Sequence, residues 1–221
     1  MNYNRLIKLS NFFYSLAAKE AEELPANSKN LKTILSNIDK LETYKAKIEY
    51  CEKNLKHLSS GSSRIVYSTP KNTIIKLAKN DKGIAQNKVE ANPKMKSKFL
   101  NKILDKSKDY NWIEVEYLEK ITESEFEELT GVNFKTFGKC LKFLCEKSSG
   151  KKPKELEECE DSEVIKEMVR LCKDFKLLYG DVERISSWGC KDDSVVLIDS
   201  GLTEKVYNEH YSSSKDSSNS S

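Results

Sequence analysis

Three charged residues stand where a side chain has a reason to meet an anion or a metal. Lys76 lies inside Thr73-Ile74-Ile75-Lys76-Leu77-Ala78, a β-branched and apolar run. A lysine there either reaches solvent along its aliphatic stem or turns inward to an anion. Asp199 follows Val195-Val196-Leu197-Ile198 and precedes Ser200-Gly201. A carboxylate aimed off the end of a hydrophobic strand is well placed to hold magnesium. Asp181 follows Tyr179-Gly180, where a turn-capping role and a position beside a reacting hydroxyl both account for it. Upstream, Gly61, Ser62 and Ser63 form a small-residue turn between strand-like segments. Such a turn lets backbone N–H groups approach a phosphate, although a tight hairpin explains the same residues. Glu90, on the helical stretch after Lys76, is the expected ion-pair partner of that lysine, with Gln86 one turn earlier as the alternative.

The elements that must position these groups follow from periodicity. Residues 3–23 read as a helix, Leu24 to Ser28 as a break, and Leu31, Ile34, Leu35, Ile38, Leu41, Ile48 and Leu55 as one long amphipathic helix packed as a hairpin on the first. Leu58 to Tyr67 and Thr73 to Ala78 predict a β-hairpin or meander around Thr69-Pro70-Lys71-Asn72. Asp81 to about Asp109 reads as mostly helical with a break at Asn92-Pro93, and Trp112 to Leu118 as a strand. Thr122 with Glu125 forms a capping box, and Gly131 suits the position just past that helix. Helices are expected over 133–147 and 161–179, joined by a flexible connection at 148–154. Two short strands, Ile185 to Cys190 and Val195 to Asp199, follow around Lys191-Asp192-Asp193, and 211–221 reads as a disordered tail. Strands first, then a helix-rich half with one late strand pair, predict an α+β chain of two lobes.

Composition narrows the function. No apolar run approaches the roughly 18 residues needed to cross a bilayer, and the first 23 residues do not read as an export signal. The six cysteines include no CxxC pair, and neither His57 nor His210 lies at ligand spacing from one, which argues against zinc and for reduced thiols in a cytoplasm. The net charge of +3 hides an asymmetry: residues 1–110 carry 22 Lys and Arg against 11 Asp and Glu, and residues 111–221 carry 16 against 24. A basic half invites an acidic partner. Nucleic acid is not the expected one, because the nine lysines from Lys79 to Lys108 have only Phe99 and Tyr110 near them as aromatic rings, too few for a base-stacking platform.

The order of the segments resembles the protein-kinase-like superfamily, including the aminoglycoside phosphotransferases. Ser60 to Ser63 looks like the phosphate loop, Ile74-Ile75-Lys76 like the strand lysine with Glu90 as its helix partner, and Val115-Glu116-Tyr117-Leu118 like the hinge that holds adenine. Tyr179-Gly180-Asp181 is similar to the start of the phosphotransferase catalytic loop, and Ile198-Asp199-Ser200-Gly201 to the metal-binding Asp-Phe-Gly. The resemblance covers about residues 57–203 and implies a small β-rich lobe (57–118), a reduced helical lobe (119–210) and an N-terminal helical extension (1–56) that replaces missing helical mass. It also implies ATP and magnesium as cofactors. Glu116 and Leu118 would contact the base, Lys76 the phosphates, Asp199 the metal and Asp181 an acceptor hydroxyl. Departures accompany it. The family's second metal ligand, an asparagine, is Ser186 here, or Ser187 in an alternative alignment, and the segment after Gly201 is only 20 residues. Short kinase-like chains of this kind are similar to some encoded by large bacteriophages. Two functions are implied: an ATP-dependent phosphotransferase acting on an unknown hydroxyl, or a catalytically inactive kinase-like module that binds a protein partner or a virion.

Overall fold

Strand alternation sets which side chains share a face, and here it sets Arg64 and Lys76 on the opposite side of the sheet from Ile65, Tyr67, Ile75 and Leu77. A computed structural model describes residues 30–145, 154, 156–159 and 161–212. The helix expected over 3–23, the break at 24–28, most of the 148–154 connection and the tail beyond 212 lie outside the described residues. The chain is a mixed α+β protein. Strands β1 (Lys56–Ser60), β2 (Arg64–Ser68), β3 (Thr73–Ala78), β4 (Ile103–Lys106) and β5 (Trp112–Glu116) form an antiparallel sheet in the order β1-β2-β3-β5-β4. Arg64 lies opposite Ala78, Ile65 opposite Leu77 and Val66 opposite Lys76. Side chains two apart share a face, so Arg64, Val66 and Lys76 face one way while Ile65, Tyr67, Ile75 and Leu77 face the other.

The apolar face is covered by α1 (Leu31–Lys40) and α2 (Tyr44–Asn54). Leu31, Ile34, Leu35 and Ile38 pack there against Ile65, Tyr67, Ile75, Leu77 and Trp112, and the Trp112 indole donates to Asp39 at 2.7 Å. One continuous helix over 31–55 was the expectation; the chain breaks because Leu41 turns extended and Thr43 caps a new start, its hydroxyl accepting from the Ala46 N–H. Residues 31–54 also lend their mass to the sheet rather than to the helix-rich part.

The charged face receives α3 (Asp81–Glu90), capped by Asn80. That helix ends at Glu90, and the expected helical continuation toward 109 is instead a series of turns leading into β4. The rest comprises α4 (Glu123–Thr130), α5 (Phe134–Cys145), α6 (Leu156–Cys159), α7 (Glu163–Asp174), the single turn α8 (Tyr179–Val182), a 3-10 turn (Ile185–Ser187) and α9 (Glu204–His210). These stand beside a second antiparallel sheet of β6 (Glu119–Lys120), β7 (Trp188–Lys191) and β8 (Ser194–Leu197). The Thr122–Glu125 capping box forms, and Gly131 takes the left-handed φ of 71° that ends α4. Phe126, Phe134, Phe137 and the fully buried Trp188 pack ring on ring, and the Trp188 indole donates to the Val182 carbonyl at 2.8 Å. The helix expected to run to Tyr179 stops at Asp174, because Lys176 is left-handed and Leu177 pairs with Thr203. The expected strand from Ile185 begins only at Trp188, the first three residues coiling as the 3-10 turn. Asp192 and Asp193 both take positive φ, as a two-residue turn between twisted strands requires.

One glycine sets how closely α3 approaches the sheet. A Cβ at Gly83 would lie 2.3 Å from the Ser63 carbonyl oxygen and 2.9 Å from the Ala78 Cα. Exchanging a helical glycine for alanine ordinarily gains stability. Gly83→Ala is expected to do the opposite, losing about 1–3 kcal/mol through overpacking; a thermal unfolding curve for the variant checks the sign.

Candidate functional site

A network of two cations and two carboxylates sits where β2, β3, α3 and the segment after β8 converge. Each oxygen of Glu90 takes one cation: Oε1 accepts from Arg64 at 2.5 Å and Oε2 from Lys76 at 2.6 Å. Arg64 extends its other nitrogen to Asp199 Oδ1 at 2.6 Å. Lys76 also donates to the Ile198 carbonyl at 2.6 Å, so two of its three N–H bonds are committed. Asn87, fully buried, braces the group: its carbonyl oxygen accepts from Arg64 at 3.3 Å, and its amide donates to the Lys76 and Tyr110 carbonyls.

Burial makes these contacts matter. The Arg64 and Lys76 side chains are 7% and 4% exposed and Glu90 is 3% exposed, whereas the Asp199 side chain is 50% exposed. Burial by itself would lower the Arg64 pKa, but Asp199 and Glu90 more than reverse that and keep the guanidinium charged. At Asp199, burial works to raise the pKa, and the Arg64 and Lys76 charges overcome it, holding the carboxyl well below the usual carboxylate range. Asp181 goes the other way: burial, then the neighbouring Asp199 charge, push it up, against Arg184 and Arg64. Its carboxylate meets Arg184 at 3.4 Å.

The small-residue turn is tied to α3. Gly61 and Ser62 are exposed and Ser63 is buried. Lys79 N–H donates to the Ser63 carbonyl at 2.8 Å, Lys79 Nζ to that of Gly61 at 2.9 Å, and Asn80 to that of Ser62 at 3.1 Å. Gln86, the alternative partner for Lys76, accepts from the Ser63 hydroxyl at 2.7 Å instead. Gly201 lets the segment after Asp199 lie against the same helix, since a Cβ there would come within 3.0 Å of Glu90 Oε1.

Other residues of the expected site lie apart. Glu116 and Leu118 line a groove of about 670 Å³ with Asn101, Ile103 and Val196; it reaches Glu90, while Arg64, Lys76 and Asp199 are not part of its wall. The Glu116 carboxylate pairs with Lys191 at 2.5 Å, and its carbonyl accepts from the Asn101 amide at 3.0 Å. Ser186 is exposed on the 3-10 turn. It is Ser187 whose backbone meets the strand end, accepting from the Ile198 N–H at 2.7 Å. Arg64 and Asn87 are the network members that the spacing argument did not single out. The signal for Arg64 was present: two residues before Val66, it shares the Lys76 face of the sheet.

Lys76 is buried and committed to Glu90 and the Ile198 carbonyl, so its ammonium is not presented to the small-residue turn as a free phosphate ligand. A magnesium ion does not fit this arrangement: Arg64 neutralises Asp199, and no group of three or more His, Cys, Asp or Glu side chains that could hold a metal occurs among the described residues. No protein-family model matches this chain, and no curated protein matches it in sequence. Among the described residues, no helix is long and apolar enough to cross a membrane.

Two outcomes follow from the network. Arg64→Met strips Glu90 of one buried partner and is expected to cost about 3–5 kcal/mol in urea unfolding, whereas Asp199→Asn, at a half-exposed carboxylate, costs far less. Because the folded Asp199 pKa lies below the unfolded value of about 3.9, the stabilisation is complete above that pH and is lost as pH falls below it. The stability difference between wild type and Asp199→Asn should therefore be flat above about pH 5 and shrink below about pH 4, as read from unfolding curves across that range.

Proposed function

We propose that the protein is a kinase-like binding module in which Arg64, rather than a metal ion, neutralises the strand-end aspartate. The observation that carries this reading is the one guanidinium bonded to both Glu90 and Asp199. The kinase-like part is supported by the order and proximity of the small-residue turn, the Lys76–Glu90 pair and the Asp199–Gly201 segment against α3. In this reading the five-stranded sheet is the small lobe and the α4–α8 region with β6–β8 the reduced helical one. The network is electrically neutral as it stands, which leaves little net attraction for a polyphosphate. With no fit for magnesium in this arrangement, no phosphoryl-transfer step is assigned. The basic surplus of residues 1–110 supports an acidic protein partner, a virion component among them.

An active phosphotransferase is the second reading, and Asp181 favours it. A partly buried carboxyl held above its usual range, next to Asp199, suits a group that orients an acceptor hydroxyl. That reading requires Arg64 to leave Asp199.

Thermal-shift titration with ATP, with and without magnesium, separates the two, since stabilisation tracks affinity for the folded state. The binding-module reading expects the same response to ATP whether or not magnesium is present, no turnover in the wild type, and an Asp181→Asn protein that behaves identically. A magnesium-dependent shift that Asp199→Asn abolishes, with turnover lost in Asp181→Asn, would overturn it in favour of the enzyme.

A further inference from the structure

The C-terminal segment reaches back to the small-residue turn through one side chain. After Asp199 the chain runs beside the segment before α8: Leu178 N–H donates to the Leu202 carbonyl at 3.0 Å and Glu204 N–H to that of Lys176 at 2.9 Å. It then coils as α9, which packs on α3. At the end of α9, the Tyr211 ring stacks on Tyr207 with centroids 6.0 Å apart, and Lys82 Nζ lies 4.5 Å over the Tyr211 ring. The Tyr211 hydroxyl accepts from the Gln86 amide at 3.2 Å. The carbonyl end of the same buried amide accepts from the Ser63 hydroxyl at 2.7 Å. A hydrogen-bonded line thus runs from Tyr211 through Gln86 to Ser63, and Arg64 is the next residue along.

We propose that residues 202–211 form a strap: Tyr211, acting through Gln86, holds the turn at Ser60 to Ser63 against α3 and so keeps Arg64 seated on Glu90 and Asp199. The physical reason is the fixed polarity of the Gln86 amide. Its N–H end is turned to Tyr211 and its oxygen to Ser63, so a loosened grip at one end frees the amide to rotate away from the other. Lys82 and Tyr207 hold the Tyr211 ring where its hydroxyl can serve as acceptor. Gly83 and Gly201 supply the clearance, letting the turn and the strap both lie flat on the helix. Tyr207, which carries the Tyr211 stack, is 37% exposed. The inference goes beyond the binding role proposed above and is tested without any ligand, so neither stands or falls with the other.

Amide hydrogen exchange on the full chain reads the strap directly. Lys79 N–H donates to the Ser63 carbonyl and Gly61 N–H to that of Arg64 at 2.9 Å, so these two amides report whether the turn is seated. Tyr211→Phe removes only the hydroxyl and is expected to speed exchange at Lys79 and Gly61 about fivefold, the worth of one neutral hydrogen bond. Tyr211→Ala, which also loses the stack and the Lys82 contact, is expected to speed it further. Leu178, bonded at the base of the strap, and Ile113, in the centre of the sheet, should exchange as in the wild type. Unchanged exchange at Lys79 and Gly61 in both variants would overturn the proposal. So would a rise of equal size at Leu178 and Ile113, because Tyr211 would then be an ordinary packing residue.

Discussion

A buried guanidinium is the constraint that the rest of this structure accommodates. Taking an arginine out of water is tolerable only if its fork meets fixed acceptors, and Arg64 meets three: Asn87, Glu90 and Asp199. Two of these lie on one helix and the third 135 residues downstream, so a single side chain fixes a strand, a helix and the strand-end turn relative to one another. The hydrophobic faces set which layers stack; being non-directional, they do not set this register. The ionic contacts do, and the glycines at 83 and 201 are the clearances that let the layers come close enough for them to form.

The charge balance explains why the same residue types lead to two readings. Lys76 and Asp199 taken alone prompt the expectation of a polyphosphate and metal site; with Arg64 and Glu90 they form a closed neutral group. The difference lies in two residues, Arg64 on the neighbouring strand and Glu90 on α3. Desolvation favours the closed group, because each partner withdrawn would leave another charge unpaired in a poor solvent for it. Only Asp199 keeps half its side chain in water, and it is accordingly the member through which the group can be opened at least cost.

The sequence made some of this legible and hid the rest for identifiable reasons. The Thr122–Glu125 cap, the β2–β3 pairing and the Lys76–Glu90 pair rest on local spacing, and local spacing is visible in one dimension. The alternation Ile65, Tyr67 also placed Arg64 on the Lys76 face, but an arginine after a run of serines and a glycine reads as solvated, and its partners arrive from α3, 23 and 26 residues on, and from Asp199, 135 residues away. The strand β4 carries three exposed positions in four, so no alternation marked it. The interruption between α1 and α2 leaves the apolar spacing of Leu31 to Ile38 intact and rests on one threonine cap, which a reading of period alone passes over. Tyr211 lay in what read as the start of a disordered tail, where nothing in composition signals a bond to a residue 125 positions earlier.

The helices α1 and α2 have a practical meaning for anyone shortening the chain. They plaster the plate formed by Ile65, Tyr67, Ile75, Leu77 and Trp112, and the indole of that tryptophan is tethered to Asp39. A version beginning at β1 would present a flat oily surface bordered by the exposed edge strand Lys56–Ser60, the combination from which intermolecular sheets nucleate. Removing that pair of helices therefore uncovers the face of the sheet opposite the ion network.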